Sequence, residues 1–413
     1  RHGWMAPFAL IFLSGGLALF WGAAGALSGL LSESRVVRAI LWSALLTLAE
    51  LIRSFLFTGF PWALMGTFWV DTPVAQTAAS IGPHALGLVT LAAASIFAGL
   101  FKTRPAFAVA ILTLPIAGMM ALGSNRASNE QNDTGITVRL IQPNAAQHLK
   151  WVPEMIPVFF QRQIDLTVQA PQADLVIWPE TAIPYFLDQS IPELEAISSA
   201  SNGSPVILGV RRRTEQGPMN SLVVAGPLGE PVAVYDKAHL VPFGEYVPFG
   251  DLASRFGIRG LAAKDGGGYT PGPAPMLFNL GRYGTALPLI CYEAIFPHLG
   301  RALSREADWM VQITNDAWFG NFAGPQQHLA LARMRSVERG VPLLRAAKTG
   351  ISAVIDPYGR IVQQIPLDMH GRIDTPIPKR LPPTFYARFG ELPLTVMLIV
   401  FFATASLLAR SRD

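Results

Sequence analysis

Leu287-Pro288-Leu289-Ile290-Cys291-Tyr292-Glu293 is a short apolar run that ends on the single cysteine of the chain. Its length and its Pro/Gly-bounded flanks read as a buried strand, with the acidic and aromatic residues after it in a turn. Two other stretches have the same build. Leu175-Val176-Ile177-Trp178-Pro179-Glu180 carries an apolar strand into a proline and then a carboxylate. Val232-Ala233-Val234-Tyr235-Asp236-Lys237 carries another into an ammonium, with Glu245 eight residues further on in an apolar loop shaped by proline and glycine. Each alone has an ordinary explanation: a small buried hydrophobe for Cys291, a turn or cap acid for Glu180, a salt-bridged surface loop for Lys237 and Glu245. The pattern lies in three chemically distinct groups, each at the carboxyl end of a strand.

The strand into Cys291 extends back over Gly284–Ile290, and further runs of strand length lie at Ile136–Gln142, Pro205–Val210, Trp309–Ile313 and Ile351–Ile355. Met155–Val168, Pro297–Arg305 and Pro325–Arg339 read as helices, the last two with proline near the first turn. This mixture predicts a layered α/β or α+β domain. No repeat with a period of 20–50 residues is present.

Outside this block the composition changes. The 413 residues are 51% hydrophobic and only 15% charged, with a mean hydropathy of +0.35, against roughly a quarter charged in soluble domains. Five apolar runs are candidate membrane spans: Phe8–Leu31, Ala39–Trp62, Pro73–Phe101, Ala106–Gly123 and Leu392–Ala409. The expected organisation is therefore N-terminal spans over residues 1–123, a water-facing domain over 124–390, and a last span with its tail over 391–413. Arg35 and Arg38, Lys102 and Arg104, and Arg410 and Arg412 all fall on one side of alternating spans. That side is cytoplasmic by the positive-inside rule, which puts the middle domain on the periplasmic face. The chain opens on Arg1 rather than Met, so four N-terminal spans is a lower bound.

A net charge of +4 with no basic, aromatic-interleaved stretch argues against nucleic acid as a partner. One cysteine excludes an internal disulfide framework and multi-cysteine metal sites. No His-Glu-x-x-His spacing occurs, His239 and His328 read as hydrogen-bonded structural groups, and neither metal nor cofactor is expected. Asp265-Gly266-Gly267-Gly268 lacks the Lys-Ser/Thr of a phosphate loop and reads as a hinge or lid. Arg211-Arg212-Arg213 reads as a solvated loop, with an anionic lipid head group as the alternative. Glu50 and Arg53, one turn apart in the second span, read either as a self-neutralising pair or as a functional one.

The chemistry follows from the residue types. A thiol attacks as its thiolate, so a neighbouring group must take its proton. Glu180 serves if burial raises its pKa. Lys237 and the Tyr292 backbone N–H are placed to stabilise the charge that develops on an attacked carbonyl. An acyl thioester on Cys291 results, to be resolved by a second nucleophile.

These stretches resemble the Glu-Lys-Cys signature of the nitrilase, or carbon–nitrogen hydrolase, superfamily. The fuller strings resemble its membrane branch, the bacterial apolipoprotein N-acyltransferases. They include Ile141-Gln142-Pro143-Asn144, Lys150-Trp151, Trp178-Pro179-Glu180-Thr181-Ala182-Ile183-Pro184, Lys237 to Pro248, Cys291-Tyr292-Glu293, Asn315-Asp316-Ala317-Trp318-Phe319-Gly320, Thr349 to Asp356, and Phe57-Thr58-Gly59-Phe60-Pro61-Trp62. The resemblance implies an αββα sandwich inserted between transmembrane helices, and a monomeric enzyme in the bacterial inner membrane. It implies transfer of a fatty acyl chain from a phospholipid such as phosphatidylethanolamine, through Cys291, to the α-amine of a diacylglyceryl-cysteine lipoprotein. Cys291 would be the nucleophile, Glu180 the general base and Lys237 the charge stabiliser. Glu245 would orient Lys237 or shuttle a proton, and Tyr292 and Glu293 would shape the surroundings of the thiol. Trp178, Trp318 and Phe319 are the candidate substrate contacts. Lys348 departs from the family, which more often has Asn there. The alternatives are a membrane-bound amidase with water as acceptor and a catalytically silent membrane scaffold.

Overall fold

The computed structural model describes residues 6–248 and 268–410. Asp265-Gly266-Gly267, most of the expected hinge, and Arg412 lie outside the described residues. The chain divides into two compact units, residues 1–129 with 388–413, and residues 130–387.

The first unit is helical: α1 (Ala6–Leu31), α2 (Arg35–Arg53), α3 (Ala78–Leu100) and α4 (Pro105–Ala127), then a helix near the C-terminus, Leu392–Arg410. Ala44 of α2, Ala85 and Leu88 of α3, and Leu394 and Leu398 of the final helix form one buried cluster. Large apolar side chains on the opposite faces stay exposed, Phe12, Leu114 and Ile399 among them, as a lipid-facing surface requires. Among the described residues, Leu10–Leu31, Pro73–Leu100, Pro105–Ala127 and Leu392–Arg410 are long and apolar enough to cross a membrane.

The second expected run departs from its reading. Ala39–Trp62 is not one helix: α2 stops at Arg53, and a short 3-10 turn follows at Leu56–Thr58. Four charged residues lie on α2, Arg35, Arg38, Glu50 and Arg53, which keeps it below the apolarity of the other four. Arg53 turns the chain back by donating to the Phe60 and Trp62 carbonyls at 2.9 and 2.8 Å. Those contacts occupy the guanidinium, and among the described residues no ion pair within 4.0 Å joins it to Glu50, the first of the two readings the sequence offered. In the third run, α3 breaks where Gly82 adopts φ +80° just before Pro83, whose ring cannot continue the ladder.

The second unit is a two-sheet sandwich. One sheet has the order β12-β1-β2-β3-β4-β5 and the other β11-β10-β9-β8-β7-β6. The first contains β1 (Asp133–Gln142), β2 (Leu175–Ile177), β3 (Val206–Thr214), β4 (Gly217–Ala225), β5 (Pro231–Asp236) and β12 (Gly371–Pro378). The second contains β6 (Phe278–Asn279), β7 (Thr285–Ile290), β8 (Trp309–Thr314), β9 (Leu343–Ala347), β10 (Ser352–Ile355) and β11 (Ile361–Ile365). β1, β2 and β3 run parallel, as do β7, β8 and β9.

Alternation along each strand sorts the core. Leu175 and Ile177 face the second sheet with Leu222, Val224, Ile290, Val311 and Leu344. Val176 and Trp178 face outward, where Leu166 of α5 (Met155–Val168) and Leu194 and Ile197 of α6 (Ile191–Ala200) cover them. Leu329 and Ala332 of α7 (Gly324–Arg339) cover the outer face of the other sheet. The result is the αββα layering that the resemblance implied.

Two elements differ from the sequence reading. Pro297–Arg305 is not an α-helix; only Leu303–Arg305 forms a 3-10 turn, after Gly300 reverses the chain at φ +66°. Arg211-Arg212-Arg213 is not a loop but the end of β3.

Arg139 is buried on β1 and ties three elements together. It donates to Asp374 of β12 at 2.6 and 3.0 Å, to the Thr167 carbonyl of α5 at 2.5 Å and to the Pro171 carbonyl at 2.6 Å. Arg139→Met removes this donor from the Thr167 and Pro171 carbonyls and leaves Asp374 with only Arg372 beside it, and should cost about 3 kcal/mol of stability, read as a lowered chemical-denaturation midpoint.

Candidate active site

The three strand-end residues converge because the sheets run the right way. β5 is antiparallel to β4, which is antiparallel to β3, so the carboxyl ends of β2, β3 and β5 share one side. Glu180 lies just beyond β2 and Lys237 just beyond β5, and Cys291 follows β7 directly. All are buried, at 6%, 1% and 7% exposure.

The Glu180 turn lies flat on β3. Gly209 N donates to the Pro179 carbonyl at 3.1 Å, and Ala182 N donates to the Gly209 carbonyl at 2.7 Å. A Cβ at Gly209 would lie 2.6 Å from the Glu180 Cα, so only glycine permits this approach.

Asn220, on β4 in phase with the inward-facing Leu222 and Val224, links the two acids. Its Nδ2 donates to Glu180 Oε1 at 2.7 Å and to Glu245 Oε1 at 2.9 Å. Glu245 Oε2 lies 2.8 Å from Lys237 Nζ and accepts from the Val241 N–H at 2.8 Å.

Electrostatics follows from burial. Desolvation raises the Glu180 pKa; Lys237, the Asn220 amide and Lys150 pull it back, and Glu245 pushes it up. Desolvation favours a neutral Lys237, but Glu245, Cys291 and Glu180 outweigh it and hold the ammonium above the ordinary lysine value. The Cys291 thiol is pushed up to about 12 by burial and Glu180, with Lys237 opposing. The thiol is therefore a proton donor, and Glu180 is a carboxylate whose proton affinity has been increased toward it.

Cys291 itself sits at φ +50°, a conformation that a residue with a Cβ adopts only when its surroundings impose it. Its carbonyl accepts from Gln312 Nε2 at 3.0 Å and lies 3.2 Å from His328 Nε2. Behind them Arg345 donates to Gln312 at 2.6 Å and to Asp316 at 2.5 Å, and Asp316 lies 2.8 Å from His328 Nδ1. Burial, then Arg345, lower the His328 pKa, so the ring is neutral in this buried network. On the other side Glu293 Oε1 accepts from Tyr235 at 2.7 Å, Ala238 N at 2.9 Å and His239 N at 3.0 Å, while Oε2 accepts from Ile290 N at 2.7 Å. One carboxylate thus fixes the cysteine turn to the lysine turn.

The structure brings Glu180, Lys237, Glu245, Cys291 and Glu293 together, with Tyr292 packed edge-on against Phe296 at 5.1 Å. It does not bring Trp178 there: that side chain is buried on the outer face and donates to Thr167 at 3.0 Å. Trp318 is half exposed, and Phe319 packs edge-on against His328 at 5.6 Å. Sequence reasoning missed Asn220, Gln312 and Arg345. Only the period-two alternation of β4 carried a signal for Asn220.

Fold and site define the class. The family model for carbon–nitrogen hydrolases matches residues 134–379, and the model for the N-terminal domain of apolipoprotein N-acyltransferases matches residues 1–96. The Apolipoprotein N-acyltransferase of Bradyrhizobium diazoefficiens is 37% identical over 99% of this chain and 80% of its own length. That of Caulobacter vibrioides is 35% identical over 97% and 79%. Among solved structures, an amidase of the nitrilase superfamily from Nesterenkonia AN1 covers 64% of this chain and 97% of its own, with a TM-score of 0.47 and 18% identity. The chain belongs to the apolipoprotein N-acyltransferase family. It is an acyltransferase enzyme of the membrane with a carbon–nitrogen hydrolase domain, and the hydrolase alternative is not favoured.

In Glu293→Gln the amide oxygen keeps the donors at one position while its nitrogen faces the Ile290 N–H. That donor-to-donor clash should cost about 2 kcal/mol, visible as a lowered thermal midpoint and slower alkylation of Cys291 by a thiol reagent.

Proposed function

We propose that the protein moves a fatty acyl chain from a phospholipid to the N-terminal amine of a diacylglyceryl lipoprotein, with Cys291, Glu180 and Lys237 as the reacting groups. The observation that carries this reading is the burial of one thiol, one carboxylate and one lysine paired with Glu245, each at the carboxyl end of a strand. As the ester carbonyl arrives, Sγ bonds to its carbon and the thiol proton passes to Glu180. The carbonyl oxygen gains a full negative charge, and the Lys237 ammonium is the cation we assign to stabilise it. The intermediate collapses with loss of the lysophospholipid alkoxide, which takes the proton from Glu180. The lipoprotein amine then attacks the thioester, Glu180 accepts its proton, and the thiol is reprotonated on leaving. Glu245 orients the ammonium through its 2.8 Å contact. Tyr292 contributes its backbone N–H to the oxyanion, and Trp318 and Phe319 contact the acyl chain.

Both substrates are lipids, which suits a membrane enzyme and not a soluble amidase. We assign the sandwich, residues 124–390, to the periplasmic face of the bacterial inner membrane, between N-terminal spans over 1–123 and a final span in 391–413. α2 is 19 residues, about 28 Å at helical rise, close to the bilayer core of about 30 Å. It therefore serves as a span despite its charges, packed against α3 and the last helix.

Intact-mass measurement of the protein mixed with phospholipid alone should show one added acyl group, absent in Cys291→Ala. Glu180→Gln should slow thioester formation about 10²- to 10⁴-fold. The base must be ionised to act, so the wild-type acylation rate should rise with pH through an inflection above 4.5, the ordinary glutamate value. That limb should vanish in Glu180→Gln; an unchanged limb would exclude Glu180 as the base. Protease added to spheroplasts should cut the sandwich, and cutting only in inverted vesicles would reverse the topology.

A further inference from the structure

Beside the Glu180 turn lies a group of cations that the acyl-transfer steps do not use. Lys150 comes from the turns after β1, Arg211 from β3 and Lys348 from just beyond β9. Lys348 Nζ donates to the carbonyl of Thr181, the residue after Glu180, at 2.5 Å. Arg211 donates to the Pro184 carbonyl of the same turn at 2.8 Å. Its guanidinium lies 4.8 Å from the Trp151 ring centre and 4.5 Å from that of Phe186. Its Nε is buried without a hydrogen-bond partner. Lys150 Nζ lies 5.3 Å from the same Trp151 ring.

Both lysines are more than nine-tenths buried, at 8% and 6% exposure. None of the three cations pairs with a carboxylate among the described residues. Arg212 does not share this position, since it pairs with Asp236; Arg213 stacks on the same Phe186 ring at 4.1 Å but is exposed.

Crowding like charges out of water without a counter-ion is costly. Burial, with Lys150 and Arg211 adding to it, lowers the Lys348 pKa to about 7. Burial and Arg211 lower that of Lys150 to about 8, against the opposing pull of Glu180 and Cys291. An anion between them relieves this cost, and one guanidinium with two ammoniums suits a tetrahedral phosphate oxyanion.

We propose that Lys150, Arg211 and Lys348 form an anion subsite beside Glu180 that holds the phosphodiester of the phospholipid acyl donor. The proposal rests on the acyl-transfer reading above and names the part of the donor that the site recognises. In a glycerophospholipid one glycerol carries both the phosphodiester and the ester. A phosphate held along the Thr181–Pro184 turn lies next in sequence to Glu180, the base that serves Cys291, which places the ester of the same glycerol on the Glu180 side of the turn. The lipoprotein terminus brings an amine and no anion, so the subsite acts in the first half-reaction only.

The test compares two acyl donors in detergent micelles, phosphatidylethanolamine and the phosphate-free ester p-nitrophenyl palmitate. Acylation of Cys291 is followed by intact mass, and the ratio of the two efficiencies is the readout. Arg211→Gln and Lys348→Asn should each lower the ratio about tenfold, the loss of one charge-assisted contact. Lys348→Arg, which keeps the charge, should retain it. Glycerol 3-phosphate should slow wild-type acylation by phosphatidylethanolamine and do so less in Arg211→Gln. Unchanged ratios in Arg211→Gln and Lys348→Asn, or a Lys348→Arg ratio as low as that of Lys348→Asn, overturn the subsite. Inorganic phosphate that slows p-nitrophenyl acylation through Arg211 while the phospholipid ratio holds would assign a free-phosphate site and overturn the donor role. Absence of thioester from either donor in the wild-type protein sinks the acyl-transfer reading and the subsite together, whereas a wild-type thioester with unmoved ratios sinks the subsite alone.

Discussion

The Lys237 ammonium is the charge on which the rest of this site depends. It is almost wholly removed from water, a position that would neutralise a lone lysine. Glu245 at 2.8 Å and the fields of Glu180 and Cys291 keep it charged. The same ammonium restrains the rise of the Glu180 and Cys291 pKa values. Asn220 ties the two acids together, since its amide nitrogen donates to both. A low-dielectric interior makes each of these interactions strong, and makes each unpaired group costly.

Around this charge the protein builds rigidity rather than bulk. The cysteine turn is held at a left-handed backbone conformation between two polar clamps. Glu293 gathers N–H and O–H donors from the β5 and β7 ends, and the Gln312–His328–Asp316–Arg345 network holds the cysteine carbonyl from the far side. Neither clamp is reactive itself. Together they fix where Sγ stands relative to Lys237, which is what a developing oxyanion demands of its stabilising charge. The close contact of Gly209 with the Glu180 turn does the same for the base.

The helical unit follows another logic. Its buried contacts mix small residues such as Ala44, Ala85 and Ala405 with leucines such as Leu88 and Leu394, while many other large apolar side chains, Phe12, Leu114 and Ile399 among them, stay exposed. A lipid environment accommodates that exposed apolar surface, and small residues let the helices approach closely. Acyl transfer between two lipids needs such an environment; hydrolysis of a small amide does not.

Much of this was legible in the chain. Apolar runs without charge marked the membrane helices, and short apolar runs ending in Glu180, Lys237 and Cys291 marked strands with chemistry at their ends, because burial and period-two alternation are local properties. Five strands escaped notice, β4, β6, β9, β11 and β12; β4 and β9 carry Asn220 and Arg345, polar residues that interrupt an apolar pattern for the sake of partners distant in sequence. Trp178 read as a substrate contact because it adjoins Glu180, yet alternation turned it to the opposite face of β2. The α2 run looked like one span because hydropathy does not see that Arg53 can fold the next segment back onto itself. The sequence by itself determined which segments must leave water and which residue types could do the chemistry. Only the tertiary structure decided which of them meet, what charge each bears, and that Lys150, Arg211 and Lys348 crowd one turn, because those outcomes depend on contacts between residues far apart in the chain and on the desolvation that the closed sandwich imposes.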